Sequence, residues 1–242
     1  MILAAGLGTR LRPITDETPK ALVAVDGVPM LERVARHLIS AGVDRLIVNV
    51  HHHADQVLGF LESRDRFGVD VLVSEEAGAP LETGGGLLHA RRHFRGDEPF
   101  FLHNVDVVSD VPLSHLFRAH VASGALATLA VSDRPASRRL AFDRLGLRGR
   151  VDERAGTAEW VREADGETRE YGFAGIHVIS PSFFELVEER GAFSIMAPYL
   201  RLAGAGRPIL PYDIGGALWL EMGDPDRLAR ARRLMESGSA TD

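Results

Sequence analysis

The sequence contains no cysteine and only one lysine, Lys20, among its 28 basic residues. The missing cysteines exclude disulfide bonds, thiolate metal sites and cysteine nucleophiles, and nothing marks an oxidising compartment. The apolar start breaks at Gly6 and soon meets arginines, so it is too short for a secretory or membrane-spanning segment. We therefore expect a cytoplasmic protein with no membrane partner.

An excess of positive charge is also missing. The formal net charge is -6 and the isoelectric point is near 5.9, whereas a general nucleic-acid binder needs a broad basic face. We expect no nucleic-acid partner, and any anion must bind at a local basic cluster. Keeping one lysine in a chain rich in arginine suggests a site that needs a compact charge rather than a planar guanidinium.

Length and composition favour one domain. The chain has 242 residues, of which 45% are hydrophobic, and it shows no internal repeat or low-complexity linker. We predict a single domain over 1–236, with a first half at about 1–124 and a second half at about 125–236. The polar end, 237–242, is expected to be a disordered tail.

Strand-like and helix-like patterns alternate through the first half and become β-rich after residue 125. The predicted strands are 1–5, 45–50, 69–73, 99–103, 126–131, 140–142, 159–161, 171–179, 209–212 and 218–221. The predicted helices are 30–40, 54–62, 85–94, 113–123, 181–189, 194–202 and 225–236. This order predicts a three-layer α/β fold with a doubly wound, mainly parallel, Rossmann-like sheet and a β-rich lid in the second half.

The segment from Leu3 to Lys20 reads as a phosphate cradle. Gly6 and Gly8 allow a tight turn and close approach to an anion, while backbone N–H groups, Arg10 and Lys20 supply donors and positive charge. The segment matches neither a Walker-type loop nor the dinucleotide-binding fingerprint. The fingerprint requires a third glycine at the position of Leu11.

Two further segments fall where strands are predicted to end. Three consecutive glycines follow Glu82 and open a helix, which suits either close approach of a nucleobase or a tight turn. Asp106 follows the strand that ends near Asn104, and a carboxylate there suits Mg²⁺. Asp110, directly before Val111-Pro112, is interpreted as a helix cap. The adjacent histidines His51-His52-His53 cannot all face one ion and are interpreted as loop residues.

The stretch from Leu3 to Pro13, with Pro19-Lys20 after it, resembles the nucleotidyltransferase family that activates sugar 1-phosphates. The Leu-Glu-Thr-Gly-Gly-Gly sequence at 81–86 looks most like the corresponding loop of small uridylyltransferases acting on N-acetylmuramic acid 1-phosphate. It is also similar to loops in mannose- and heptose-phosphate guanylyltransferases. Asn104-Val105-Asp106 matches the family's Asn-Gly-Asp motif except for Val105. Trp219 to Asp224 resembles a late Trp-x-Asp-x-Gly-Thr segment, with Glu221 in place of aspartate.

The resemblance implies that the first half, about 1–124, binds the nucleotide and that the second half, about 125–236, binds the sugar phosphate. It also implies a set of site residues. Asp106 and Glu221 would hold Mg²⁺, with Arg10, Lys20 and Asp106 as the catalytic residues. Nucleotide binding is expected from Leu3, Ala5, Gly6, Gly8, Thr9, Glu82, Gly84 and Gly85. Sugar-phosphate binding is expected from Asn104, Arg150 and Gly175. The family's second lysine is missing, and Arg150 or the pair Arg138-Arg139 are the candidates to replace it.

We therefore predict Mg²⁺-dependent transfer of a nucleotidyl group from a nucleoside triphosphate to a sugar 1-phosphate, with release of pyrophosphate. UTP is the favoured donor, with GTP or dTTP as the other donors. Two alternatives stay open at this point. One is a nucleotide-sugar-dependent glycosyltransferase, which normally shows an Asp-x-Asp pair. The other is a non-catalytic nucleotide or sugar sensor on the same fold.

Overall fold

The structure is a computed structural model, and it describes residues 1–238. Its strands are β1 Ile2–Leu3, β2 Ala24–Val25, β3 Val28–Pro29, β4 Arg45–Val50, β5 Asp70–Glu75, β6 Phe100–Asn104, β7 Val107–Ser109, β8 Ala127–Ser132, β9 Arg138–Asp143, β10 Gly146–Asp152, β11 Thr157–Trp160, β12 Arg169–Ile179, β13 Ile209–Asp213 and β14 Trp219–Glu221.

Its α-helices are α1 Ile14–Glu17, α2 Met30–Ser40, α3 Ala54–Ser63, α4 Glu82–His89, α5 Leu113–Ser123, α6 Phe183–Leu186, α7 Met196–Gly204 and α8 Pro225–Gly238. Short 3-10 turns lie at Thr9–Leu11, Lys20–Leu22, Asp65–Gly68 and Arg91–His93. In the described part of the chain, no helix is both long enough and apolar enough to cross a membrane.

The chain folds into two compact units that alternate along the sequence. Unit 1 comprises 1–80, 103–111 and the segment from Leu218 onward, and unit 2 comprises 81–102 and 112–217. The predicted functional halves, divided near residue 124, stay a prediction. Helix α8 includes 237 and 238 of the predicted tail, and the other four residues of that tail lie outside the described residues.

Unit 1 contains a parallel sheet. Strand β1 pairs with β4 on one side and with the end of β6 on the other, and β4 pairs with β5, all in parallel. Every residue of β4 after Arg45 is buried, which is typical of a parallel strand covered on both faces. Helix α2 buries Met30, Leu31, Val34 and other residues at helical spacing. The predicted α/β fold is confirmed.

Unit 2 is the β-rich part. Strand β12 pairs antiparallel with β8 and β9, β9 with β10, and β10 with β11, while β13 pairs parallel with β8. All six residues of β8 are buried. The predicted change to β-rich structure in the second half is therefore confirmed.

Several predicted bounds are wrong. The helix predicted over 181–189 is only the short α6, because the Arg201 guanidinium takes the Leu186 carbonyl and the Glu189 carboxylate instead. Strand β10 was not predicted. Its central Gly149 is needed because a Cβ there would meet the Glu159 carbonyl oxygen at 2.4 Å, and in the sequence that glycine indicates a turn.

The predicted cap at Asp110 is also wrong. Helix α5 begins after Pro112, which takes the capping position without a side-chain hydrogen bond. Asp110 instead donates its backbone N–H to the Leu218 carbonyl, continuing the pairing of β7 with β14. Helix α8, in contrast, is capped by Asp224, because the Arg227 N–H donates to Asp224 Oδ1 over 2.9 Å.

A buried histidine in unit 2 is fixed in its neutral form. Ser180 Oγ donates to the Ala125 carbonyl, so it accepts from His120 Nε2, and Thr128 Oγ1 lies 2.9 Å from His120 Nδ1. In the neutral ring both nitrogens thus have hydroxyl partners, with Nε2 donating to Ser180 and Nδ1 accepting from Thr128. Burial lowers the pKa of His120 to about 4.

From the lowered pKa of His120 we predict that the free energy of unfolding depends on pH. The unfolded chain takes up the proton near pH 6.5 and the folded chain only near pH 4, so the free energy of unfolding should fall as pH drops between these values. Replacing His120 with glutamine should flatten that dependence in urea unfolding between pH 7 and 4. An unchanged slope in His120→Gln would contradict this assignment.

Candidate functional site

The glycine loop between β1 and α1 is held by a side chain that the sequence analysis did not select. Gly8 has φ +64 and heads the 3-10 turn, and the buried Thr15 donates its hydroxyl hydrogen to the Gly8 carbonyl over 2.8 Å. A Cβ on Gly8 would lie 2.8 Å from Thr15 Cγ2. Both the turn and the close packing therefore require glycine here.

Gly6 differs from Gly8, because no described atom other than those of Gly6 and its two chain neighbours lies within 4 Å of the position that its Cβ would take. Gly6 and Thr9 are exposed, and Ala5 is buried. The loop therefore presents bare backbone to open space at Gly6, as a phosphate cradle needs.

Lys20 and Asp106 form an ion pair although they are 86 residues apart. Lys20 begins a 3-10 turn after Pro19, and Asp106 follows the end of β6. The Lys20 side chain is 12% exposed and that of Asp106 is 16% exposed. The structure thus brings the end of the glycine-loop segment to the strand-end carboxylate, and the two predicted features converge within unit 1.

Glu221 reaches the same place through an antiparallel strand pair. Strand β14 pairs with β7 so that Glu221 lies opposite Val107, and the Met222 N–H donates to the Asp106 carbonyl over 2.8 Å. The two predicted metal ligands therefore lie on adjacent segments, Glu221 on β14 and Asp106 in the turn directly before β7. The pairing itself was not predicted, because β7 has only three residues and no pattern of its own.

Glu221 lies between two arginines. Its Oε1 is 4.0 Å from Arg10 Nη2, and its Oε2 forms an ion pair with Arg227. A Cβ on Gly223 would lie 2.7 Å from Glu221 Oε1 and 2.8 Å from Arg10 Nη2, so glycine leaves room for this contact. Arg227 was not predicted from the sequence. The first turn of a helix favours acidic residues, so an arginine there was a signal that it has a specific partner.

The sheet edge supplies the backbone around these side chains. Leu3 lies opposite Asn104 in the β1–β6 pairing, and the Val105 N–H donates to the Leu3 carbonyl. Asn49, at 1% exposure, fixes the other side, because its carbonyl accepts from the Ala4 N–H and its side-chain amide donates to Glu76. Of the predicted site residues, unit 1 holds Leu3, Ala5, Gly6, Gly8, Thr9, Arg10, Lys20, Asn104, Asp106 and Glu221.

The triple-glycine segment lies in unit 2 and begins α4. Gly84 and Gly85 donate their N–H groups to the Phe193 carbonyl. A Cβ on Gly84 would lie 2.3 Å from the Phe193 ring, and one on Gly85 would lie 2.4 Å from the Gly191 carbonyl oxygen. Packing within unit 2 therefore explains both glycines. Glu82 is exposed and has φ +59, and the nucleotide-binding role of all three residues stays a prediction.

The residues predicted for the sugar phosphate in unit 2 are Arg150 and Gly175. Arg150 forms a 2.8 Å ion pair with Glu159 on the neighbouring strand, and both side chains are about half exposed. Gly175 has φ +75 and lies where the register of β12 shifts against β8. Arg138 and Arg139 are also paired with carboxylates, of Asp152 and of Glu153. Their predicted roles stay predictions.

The three adjacent histidines lie in the loop after β4, as predicted. His51 Nδ1 is 2.9 Å from the Glu76 carbonyl oxygen, and His53 Nε2 is 3.3 Å from the Asp16 carbonyl oxygen. Over residues 1–238, no group of three or more histidine, aspartate or glutamate side chains is arranged to hold a metal.

Two carboxylates from adjacent segments, the turn before β7 and strand β14, suit a Mg²⁺ ion. Mg²⁺ is usually bound by one or two carboxylates and keeps water and substrate phosphates as its other ligands. Asp106 and Glu221 offer two carboxylates of this kind, although each is paired with a cation in this structure. The donor set fits Mg²⁺.

Comparison with known proteins agrees with this geometry. The family model described as nucleotidyl transferase matches residues 1–142. An N-acetylmuramate alpha-1-phosphate uridylyltransferase from Caulobacter vibrioides is 34% identical over 241 residues, which cover 98% of this chain and 97% of that protein. The chain belongs to the nucleotidyl transferase family. The predicted family and enzyme class, nucleotidyltransferase, are confirmed.

The names of other similar proteins refer to the transfer of different nucleotides. A mannose-1-phosphate guanyltransferase from Yarrowia lipolytica is 29% identical over 93% of this chain, which matches 60% of that protein's length. A putative glucose-1-phosphate thymidylyltransferase structure from Bacillus anthracis has a TM-score of 0.79 at 19% identity, with 96% of this chain and 93% of that chain covered. An inositol-1-phosphate CTP transferase structure from T. maritima has a TM-score of 0.75 at 20% identity, with 97% and 93% covered.

The hydrogen bond from Thr15 to the glycine loop can be tested directly. Thr15→Val removes the hydroxyl from a buried position, and we expect the free energy of unfolding to fall by about 1 kcal/mol, because the Gly8 carbonyl loses a donor. Urea unfolding measures the change. Thr15→Ser keeps the hydroxyl and should lose less, and a valine variant as stable as wild type would contradict the assignment.

Proposed function

We propose that this enzyme transfers a nucleotidyl group from a nucleoside triphosphate to a sugar 1-phosphate, giving a nucleotide sugar and pyrophosphate. The observation that supports it most is the ion pair of Lys20 with Asp106 at the end of the glycine loop. It supports the proposal because an ammonium group suited to phosphate lies beside a carboxylate suited to a metal. Family membership favours this class over a glycosyltransferase or a non-catalytic sensor.

The reaction needs alignment and charge neutralisation rather than a covalent enzyme intermediate. An oxygen of the sugar phosphate attacks the α-phosphorus in line, the bond to the bridging oxygen breaks, and pyrophosphate leaves with that electron pair. Lys20 holds the reacting phosphates, and Arg10 stabilises the departing pyrophosphate. Arg10 is suited to this because its side chain is 62% exposed and only loosely paired.

We propose Mg²⁺ as the cofactor, with Asp106 and Glu221 as its protein ligands. When bound, the ion would neutralise charge on the triphosphate. Glu221 is one methylene longer than the aspartate usual at this position, and Arg227 fixes the end of that longer side chain. The two carboxylates need no third protein ligand, because phosphate oxygens and water complete the coordination.

We favour UTP as the donor. The support is the Caulobacter vibrioides uridylyltransferase, which matches almost the whole of both chains, whereas the Yarrowia lipolytica guanyltransferase is matched over 60% of its length. On the same ground, N-acetylmuramic acid 1-phosphate is the first acceptor to test. A cytoplasmic location and the absence of a nucleic-acid partner stay predictions.

The substrates can be tested with a panel of nucleoside triphosphates crossed with sugar 1-phosphates. We expect pyrophosphate release that requires both substrates and Mg²⁺, with the highest rate for UTP. Release without any sugar phosphate would contradict transfer to a sugar. A rate higher with GTP or dTTP than with UTP would contradict the base but not the reaction class.

Asp106→Asn tests the carboxylate. It removes the charge while keeping the shape, and we expect turnover to fall by about a thousandfold because several kcal/mol of charge stabilisation are lost. The far-ultraviolet circular dichroism should stay unchanged. Asp110→Asn is the matched control, since Asp110 is exposed and has no proposed role. Full activity of Asp106→Asn at limiting Mg²⁺ would refute the role.

A further inference from the structure

We propose that metal and triphosphate bind this enzyme cooperatively, because each predicted metal ligand is ion-paired with a predicted phosphate-binding cation when neither is bound. The inference rests on the proposed function of the same site. It goes beyond that function, since it states how the two ligands depend on each other and which side chains cause the dependence.

The first pair is Lys20 with Asp106. Both side chains are mostly buried, so water screens the pair weakly and either charge left alone would be poorly solvated. The Lys20 stem lies beside the glycine loop, because its Cβ is 3.3 Å from the position that a Cβ on Gly8 would take. A metal that binds the Asp106 carboxylate therefore leaves the Lys20 ammonium without a partner, unless a phosphate binds and accepts its hydrogen bonds.

The second pair is Arg10 with Glu221, and it is looser. The closest approach between them is 4.0 Å, and Arg10 is 62% exposed. Arg227 also binds Glu221, from the other carboxylate oxygen. Arg10 can therefore turn to a phosphate while Arg227 still holds Glu221, so this pair opens at a lower cost than that of Lys20.

The charges of the cluster balance. The cations are Arg10, Lys20 and Arg227, and the carboxylates are Asp106, Glu221 and Asp224. Three positive groups face three negative groups, so neither a free divalent cation nor a free polyphosphate meets a net opposite charge. When both arrive, each released side chain finds a new partner. The coupling is reciprocal, because each ligand must strengthen the other by the same factor.

The test measures Mn²⁺ binding to the nucleotide-free enzyme by electron paramagnetic resonance. Lys20→Met removes the cation and releases Asp106, and we expect Mn²⁺ to bind about tenfold more tightly, within the usual range of coupling between sites. The same variant should lose turnover, because Lys20 is proposed to hold the phosphates. A lysine with a purely structural role would instead leave Mn²⁺ binding equal or weaker.

Two further variants define the source of the gain. Lys20→Met with Asp106→Asn should lose the tenfold gain, because the released carboxylate is gone. Arg45→Met is the matched control, since it removes a cation paired with Asp70 elsewhere in unit 1, and its Mn²⁺ affinity should equal wild type. Mn²⁺ binding by Lys20→Met that equals or falls below wild type would overturn the coupling.

A reverse measurement covers the case in which Lys20→Met does not fold. Asp106→Asn releases Lys20, and we expect inorganic tripolyphosphate in EDTA to bind about tenfold more tightly than to wild type, by calorimetry. Equal or weaker binding would overturn the inference. If Mn²⁺ binding is lost in Glu221→Gln but kept in Asp106→Asn, the role of Asp106 as a metal ligand is refuted. If Mn²⁺ binding needs Asp106 but is no tighter in Lys20→Met than in wild type, only the coupling is overturned.

Discussion

The ion pair between Lys20 and Asp106 depends on a feature of the sheet that no single segment encodes. Strand β1 lies between β4 and β6 in parallel, so the chain leaves β1 and β6 at the same edge. The carboxyl ends of parallel strands gather loops at one edge, which is where ligands bind in open α/β sheets. Lys20 and Asp106, 86 residues apart, meet because both follow strands that end at this edge.

Glu221 joins the same cluster by a different route. It comes from β14, near the end of the chain, and pairs antiparallel with β7 directly after Asp106. Three separate chain segments therefore bring their charges to one point in unit 1. The longer glutamate needs an anchor, and Arg227 in the first turn of α8 supplies it. Gly223 keeps the space in which Glu221 and Arg10 face each other.

Local patterns gave the strongest predictions. Strand β4, helix α2 and helix α5 have the bounds that their hydrophobic patterns predict. A mostly apolar run determines the bounds of β4, and one buried face determines those of each helix. Features set by distant contacts were missed. Strand β7 is too short to show a pattern, and the end of α6 depends on Arg201. Arg227 and Thr15 act through partners that the sequence does not place beside them.

Glycine shows why a motif alone does not assign a role. At Gly6 the missing side chain faces open space, whereas at Gly84 it makes room for Phe193, and the Gly84 N–H is already bonded to the Phe193 carbonyl. A ligand can use the first kind of glycine directly. Glu82, exposed with φ +59, has a backbone that bulky residues rarely adopt. Such strain persists only where neighbouring structure enforces it. Of the residues predicted to bind the nucleotide in unit 2, Glu82 is therefore the exposed one, whereas Gly84 and Gly85 make room for Phe193 and Gly191.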